Sequence, residues 1–368
     1  MEHPLQTGAV ARMLNCQQAV FGFSHSVEVT IAVTMAGGVG IFGATRSTPD
    51  EIEAALRTIR QAVGDKPFGV NLVLPDGMPE HDNRAMIEAE IPAGHRTFVQ
   101  NIREKYQVPV SDQPGMRSRF VRSEEMARNQ IEKVLASSAD IVACGIGAPA
   151  GLIEAAQKQG KRVIALVGSP KHAQRALDKG VDILVAQGYE AAAHTGRIGT
   201  FSLVPQVVQL AGDVPVLAAG GVATGQHINA AFALGAQGVW CGTPWLLTKE
   251  YALDPILQDK LIAAGSDDTV ISRADSGKTL RQIRTAWSEE WEQPGAPPPL
   301  RMPYQDILVG DILGSIERNR VKPLMHYPAS QGIAHFNEVR TVQAVMQELV
   351  DGALQHRRTL METLGLSS

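Results

Sequence analysis

The chain has 368 residues, 44% hydrophobic and 20% charged, a globular composition with enough length for one large domain or two ordinary ones. A net charge of -4 gives no reason to expect nucleic acid or an anionic membrane as a partner. No run reaches the ~18 apolar residues of a membrane span, and the opening MEHPLQTGAVARMLN lacks the basic and apolar regions of a secretory signal. Three scattered cysteines, Cys16, Cys144 and Cys241, contain no CxxC pair. They fit neither a disulfide framework nor a structural zinc site. A cytoplasmic protein with reduced thiols and no metal is expected.

Residues 19–25 (AVFGFSH) form a first short apolar run, followed by a helix over 27–35 and a second run, VGIFGA (39–44). Thr48-Pro49-Asp50-Glu51 opens the next helix with a capping hydroxyl, an early proline and acids in the first turn. Its apolar residues Ile52, Leu56, Ile59 and Val63 recur at helical spacing. FGVNLVL (68–74) is the third strand. Residues 75–122 then break the rhythm with charge, proline and glycine, and carry one expected helix near 96–106. They are read as an excursion over one mouth of the domain, because loops this long are usually functional or mobile.

Regularity returns with a helix over 123–136, strand 140–146, helix 150–159, strand 162–168 and helix 170–179. Strands follow at 183–188 (ILVAQG), 215–221 (PVLAAGG) and 238–243 (GVWCGT). Eight nearly continuous apolar runs alternating with helices suit parallel strands covered on both faces. Eight βα units over about 250 residues fit a TIM (β/α)8 barrel better than an open doubly wound sheet. Residues 1–250 form the barrel in this reading, and 251–325 a small, mainly helical additional domain. Residues 326–368 return to the barrel with a long amphipathic helix over 337–363.

Two strand ends carry the strongest chemical signal. Loops after the seventh and eighth strands of such barrels commonly bind phosphate. Here they hold Gly220-Gly221 and Gly242-Thr243, with a helix opening near Thr224 to aim N–H groups at an anion. The plainer alternative is a pair of tight βα turns. His194 follows the sixth strand end, Gln187-Gly188, and is placed as a general base, or else as a surface-loop histidine. Glu190 suits a structural role there. Asn71 interrupts an apolar strand. An unpaired buried amide costs roughly 1–3 kcal/mol, so it faces either a ligand, shared with Gln187, or a neighbouring loop. His25 is a weaker candidate, and Tyr304, Lys322 and Tyr327 suit packing or solvated roles. Cys241 suits buried filler. Two dinucleotide-like glycine patterns fail on context: residues 38–43 overlap a strand, and 145–150 lack the acid at the next strand end.

VAQGYEAAAHTG, VPVLAAGGVATGQHINAAFALGAQGVWCGT and FGVNLVLP, with weaker echoes in SGKTLRQIRTAW and SQGIAHF, resemble the nitronate monooxygenase family. The resemblance covers residues 19–250 and implies a TIM barrel with an inserted domain and noncovalent FMN. Carried over by motif, it implies that Asn71 and Gln187 contact the flavin ring, with Ala192 beside it. It implies that Gly220, Gly221 and the Trp240-Cys241-Gly242-Thr243 turn cradle the phosphate and that His194 is the catalytic base. The implied partners are a small nitronate or nitroalkane and O2. The family pattern Glu-Ala-Gly-Gly-His is here Glu190-Ala191-Ala192-Ala193-His194, so two alanines stand where glycines are usual. The first and last strand ends also depart, with Gly22-Phe23-Ser24-His25 and Gly242-Thr243-Pro244-Trp245. An NAD(P)H-dependent flavin reductase of quinones or enoyl thioesters, a non-catalytic flavin-binding protein and a cofactor-free phosphate-binding aldolase or isomerase remain as alternatives. Homo-oligomerisation stays open.

Overall fold

The apolar runs become strands, and the strands close on themselves. In the structure, a computed structural model describing residues 3–74, 77–111, 113–145, 147 and 149–365, these are β1 (Val20–Ser24), β2 (Val39–Gly43), β3 (Phe68–Val73), β4 (Ile141–Gly145), β5 (Arg162–Val167) and β6 (Ile183–Gln187). After a two-residue strand, β7 (Ala193–His194), come β8 (Val216–Ala219) and β9 (Val239–Cys241). The order β1-β2-β3-β4-β5-β6-β8-β9 forms a closed barrel, with β9 returning in parallel register to β1 (Val20↔Val239, Phe21↔Trp240). The expected TIM barrel is therefore present, its strands shielded on both faces.

The helices form where sequence chemistry places them. Thr48 caps Pro49–Val63 in a capping box: Glu51 N–H donates to Thr48 Oγ1 (3.3 Å) and Thr48 N–H to Glu51 Oε2 (2.8 Å). The buried stripe of that helix is Ile52, Leu56, Ile59 and Val63. The terminal helix, Val342–Thr363, buries Val345, Met346, Leu349 and Val350 and packs on helices Gly225–Ala233 and Val27–Met35, completing the outer ring. At the first of these contacts a Cβ on Gly225 would stand 2.1 Å from the Ala353 amide nitrogen, so only glycine fits.

One expectation needs correction, and another gains detail. The 75–122 excursion contains two helices, Arg84–Glu90 and Ala93–Lys105; Asn83 caps the first and Pro92 opens the second. The 251–325 region is mainly helical but also carries strands. It holds a hairpin of β10 (Thr269–Ser272) and β11 (Leu280–Ile283), and β11 pairs antiparallel with β7 (Leu280↔His194, Arg281↔Ala193). Four-residue strands are too short to show a period of two. The excursion and the later region also share one core, in which Val99, Ile102 and Val108 meet Trp287, Trp291, Val309 and Ile312. These segments together make a cap bound to the C-terminal end of the barrel. Among the described residues no helix is long and apolar enough to cross a membrane.

Candidate active site

The polar groups of the barrel gather where the parallel strands end. Asn71, near the end of β3, is 4% exposed. Its Nδ2 donates to the Ala143 carbonyl of β4 at 3.1 Å. Part of its hydrogen-bonding capacity therefore serves the neighbouring strand. Gln187 ends β6 and is partly exposed; its Nε2 donates to the His194 carbonyl at 2.7 Å. That bond fixes the backbone of the loop carrying the histidine. His25, past the end of β1, is exposed and bonds through Nδ1 to the Gly43 carbonyl at 2.7 Å.

Beyond β8 the chain turns through Gly220 (φ 103°) and Gly221 (φ 75°), left-handed conformations that disfavour side chains. A Cβ at Gly221 would meet nothing closer than 3.4 Å, and one at Gly242 nothing closer than 3.9 Å. A side chain at either position would make only ordinary contacts, so neither backbone is crowded. Thr243 Oγ1 accepts the Ser330 N–H at 3.0 Å, which leaves its own O–H to donate elsewhere. Glu190 holds the structure beneath: its Oε2 accepts from Thr200 N–H (2.8 Å) and Thr200 Oγ1 (2.7 Å), at the start of helix Thr200–Ala211. Segment 330–332 lies across these turns. Gln331 N–H donates to the Glu190 carbonyl at 3.0 Å, and Gly332 sits against the Gly221 carbonyl. The sequence showed this segment only as a faint family echo.

Two residues of the last turn contribute less through their side chains. The Trp240 ring is stacked with Phe21 and Phe23, centroids 6.1 Å away in each case, and so belongs to the barrel packing. Burial pushes the Cys241 thiol up to about 12. It is inert filler, and its carbonyl accepts from Trp245 Nε1 at 2.8 Å. The glycine pattern at 38–43 lies on β2, where Gly40 makes room for the Thr30 carbonyl. Residues 146 and 148 of the second pattern lie outside the described residues.

His194 sits on β7, partly exposed, with Nε2 2.9 Å from Ser276 Oγ. Ser276 is fully buried and comes from the cap. The imidazole is held down to about 3, first by burial and then by the guanidiniums of Arg117, Arg122 and Arg46, while Asp306 opposes them. It is therefore a neutral ring at physiological pH. Ala192 is partly exposed beside it. Ala193 has φ 57°, so the backbone keeps a glycine-like conformation although the side chain is alanine.

Around the histidine lies a charged cluster that sequence reading missed. Arg46 Nη2 pairs with Asp306 Oδ1 at 2.9 Å, and Arg117 reaches Asp275 (3.1 Å) and Asp306 (3.6 Å). Asp275 also accepts from Trp287 Nε1 (2.9 Å) and contacts His326 Nε2 (3.0 Å). The cationic partners His326 and Arg117 hold the Asp275 carboxyl well below the usual range, against its burial. Tyr304 instead bonds Glu90, Lys322 is exposed, and Tyr327 meets Tyr251. Among the described residues no group of three or more His, Cys, Asp or Glu is placed to hold a metal. A cleft of about 320 Å³ is lined by Glu190, Gly220, Gly221, His227, Gln331 and His335. It contains none of Asn71, Gln187 and His194.

The mouth thus collects Asn71, Gln187, Ala192, His194, Gly220, Gly221, Gly242 and Thr243 from four strand ends, as the parallel barrel requires. A sequence model of the nitronate monooxygenase family matches residues 10–352. The chain is 39% identical over 356 residues to a Mycobacterium tuberculosis protein named as a monooxygenase, covering 93% of this chain and 95% of that one. It is 28% identical over 359 residues to a Staphylococcus haemolyticus protein named as a nitronate monooxygenase, covering 94% of each. Its fold is similar to that of nitroalkane oxidase from Streptomyces ansochromogenes, with a TM-score of 0.81, 23% identity and coverage of 96% and 100%. The chain belongs to the nitronate monooxygenase family and is an oxidoreductase enzyme.

Proposed function

We propose that the chain is an FMN-dependent monooxygenase that oxidises alkyl nitronates with O2 to a carbonyl compound and nitrite. One observation carries this reading: the glycine turns, the amides of Asn71 and Gln187, and His194 stand at the strand ends of a family barrel. The turns suit a phosphate. Gly221, Gly242 and Thr243 would offer backbone N–H groups and a hydroxyl, and Gly220 shapes the approach. The Trp240-Cys241 backbone leads into the second turn. Asn71 and Gln187 supply amides for the ring edge, with Ala192 alongside. FMN, when bound, supplies a two-electron acceptor that can be reoxidised by O2.

His194 holds the proton bookkeeping of the site. With its proton on Nε2, donated to Ser276, Nδ1 is the proton-accepting atom. Its lowered basicity makes it a weak base for a neutral carbon acid, whereas a nitronate arrives already deprotonated. The guanidiniums that depress His194 attract that anion. The favoured substrate is therefore the nitronate over the neutral nitroalkane.

Anaerobic titration of the yellow protein tests this directly. Bleaching by an alkyl nitronate, with no bleaching by NADH or NADPH, is the expected result. Bleaching by pyridine nucleotide alone would replace the proposal with an NAD(P)H-dependent flavin reductase. A colourless protein that takes up no FMN would end both readings.

A further inference from the structure

Arg122 is the odd member of the charged cluster. It is 7% exposed, and no carboxylate lies within ion-pair distance of it among the described residues, while Arg46 and Arg117 are both paired. Its guanidinium makes two contacts: Nη2 donates to the Val73 carbonyl at 3.2 Å, and Nη1 lies 3.6 Å from Met302 Sδ. Val73 ends β3 two residues beyond Asn71, so the charge stands at the rim of the candidate active site. It is close enough to His194 to depress that imidazole.

A guanidinium carries five donors in a planar fork. One carbonyl and one thioether leave most of that fork unused. Burying an ion without a close partner costs several kcal/mol, and burial, with Arg46 and Arg117 nearby and Asp306 opposing them, pushes Arg122 down to about 9. The surroundings do not neutralise it. Arg46, Arg117, Arg122 and His326 face Asp275, Asp306 and Glu317, and burial raises the Glu317 carboxyl. A buried cation at the mouth of a cleft, with no carboxylate within ion-pair distance among the described residues, is complementary to an anion that arrives from outside.

We propose that Arg122 is the substrate-recognising residue of this enzyme, its free guanidinium edge taking the two oxygens of a planar oxyanion, the nitronate group, in a bidentate grip. This rests on the nitronate reading above and adds a residue that specifies the anionic form. The nitronate brings its full charge into the complex, so Arg122 holds it more tightly than the neutral nitroalkane.

The test uses flavin-loaded protein and inorganic nitrate, a planar oxyanion that offers no oxidisable carbon. Nitrate titration of the wild type is expected to perturb the flavin absorbance saturably. Arg122→Gln should raise the nitrate Kd at least tenfold, and Arg122→Lys, with charge but no fork, severalfold. With a primary alkyl nitronate, Arg122→Gln should lose at least tenfold in kcat/KM, mostly through KM. Unchanged nitrate affinity in Arg122→Gln overturns the proposal. So does a shifted flavin spectrum or lost flavin without nitrate present, because Arg122 would then face the cofactor. Should Arg122→Gln not fold, wild-type nitrate affinity in Arg122→Lys also overturns it. Arg122-dependent nitrate binding in a protein that never turns over nitronates supports the anion site and refutes the nitronate reading alone.

Discussion

Ala193 offers the sharpest check on how the histidine loop is built. Its φ of 57° places an alanine in the left-handed region, at a cost of about 1–2 kcal/mol for an L-residue. Replacement by glycine removes that strain. Glycine also makes the unfolded chain more disordered, which returns about 0.4–1 kcal/mol. The difference predicts that Ala193→Gly stabilises the protein by up to about 1.6 kcal/mol, centred on ~0.8, or up to roughly 2 °C in Tm for a chain of this size. Ala193→Val should act in the opposite sense. A β-branched side chain tolerates positive φ worst, and the residue is locked by its pairing with Arg281. A loss of about 2 kcal/mol and several degrees is expected. Scanning calorimetry of the flavin-loaded protein at fixed pH reads both. If Ala193→Gly lowers Tm, or Ala193→Val leaves it unchanged, the loop does not hold this conformation in solution and the strain argument fails.

Other consequences are open to simple measurement. Glu190→Ala frees Thr200 N–H and Oγ1 beneath the Gly220 turn; it should cost about 1 kcal/mol and speed flavin release on dilution, followed by fluorescence. Asp275→Asn removes the charge that Arg117, Trp287 and His326 share. A loss of about 3–5 kcal/mol in denaturant melts is expected, as for other broken buried pairs; a loss below 1 kcal/mol would show that the cluster is solvated. His194 has a folded pKa lowered to about 3 from the ordinary 6.5. The unfolded chain therefore binds the proton first, and this residue's contribution makes stability fall as pH drops from 6.5 towards 3. The His194 ring resonance should not titrate between pH 8 and 5 in NMR, and a midpoint near 6.5 would contradict the burial seen here. Gly225→Ala should displace the terminal helix from its close contact with Ala353, lowering Tm by several degrees without changing the flavin spectrum.

The barrel was legible because each of its strands is a continuous apolar run and each covering helix carries a stripe at helical spacing. The turns at Gly220-Gly221 and Gly242-Thr243 were legible as turns because glycine closes each apolar run at a strand end. The cap was not. Its hairpin strands are four residues long, too short for periodicity. Its ion pairs join residues far apart in sequence, such as Arg117 with Asp275 and Arg46 with Asp306, and nothing local marks them. Ser276 stood within a recognised echo, yet its contact with His194 exists only once the hairpin folds. The alanines at 192 and 193 were visible as departures from the family pattern, whereas the retained backbone conformation needed the structure.

The two-residue strand at His194 also limits how such enzymes can diversify. Because Leu280 pairs with His194 and Arg281 with Ala193, the cap supplies one wall of the secondary structure that carries the histidine. A recombinant that exchanges the cap for a relative's must import a strand of matching register, or the imidazole loses its place. The hairpin and the 190–194 loop are thus a single unit of inheritance, although some eighty residues of chain separate them. New substrate ranges are more accessible through side chains on the rim than through wholesale replacement of the cover.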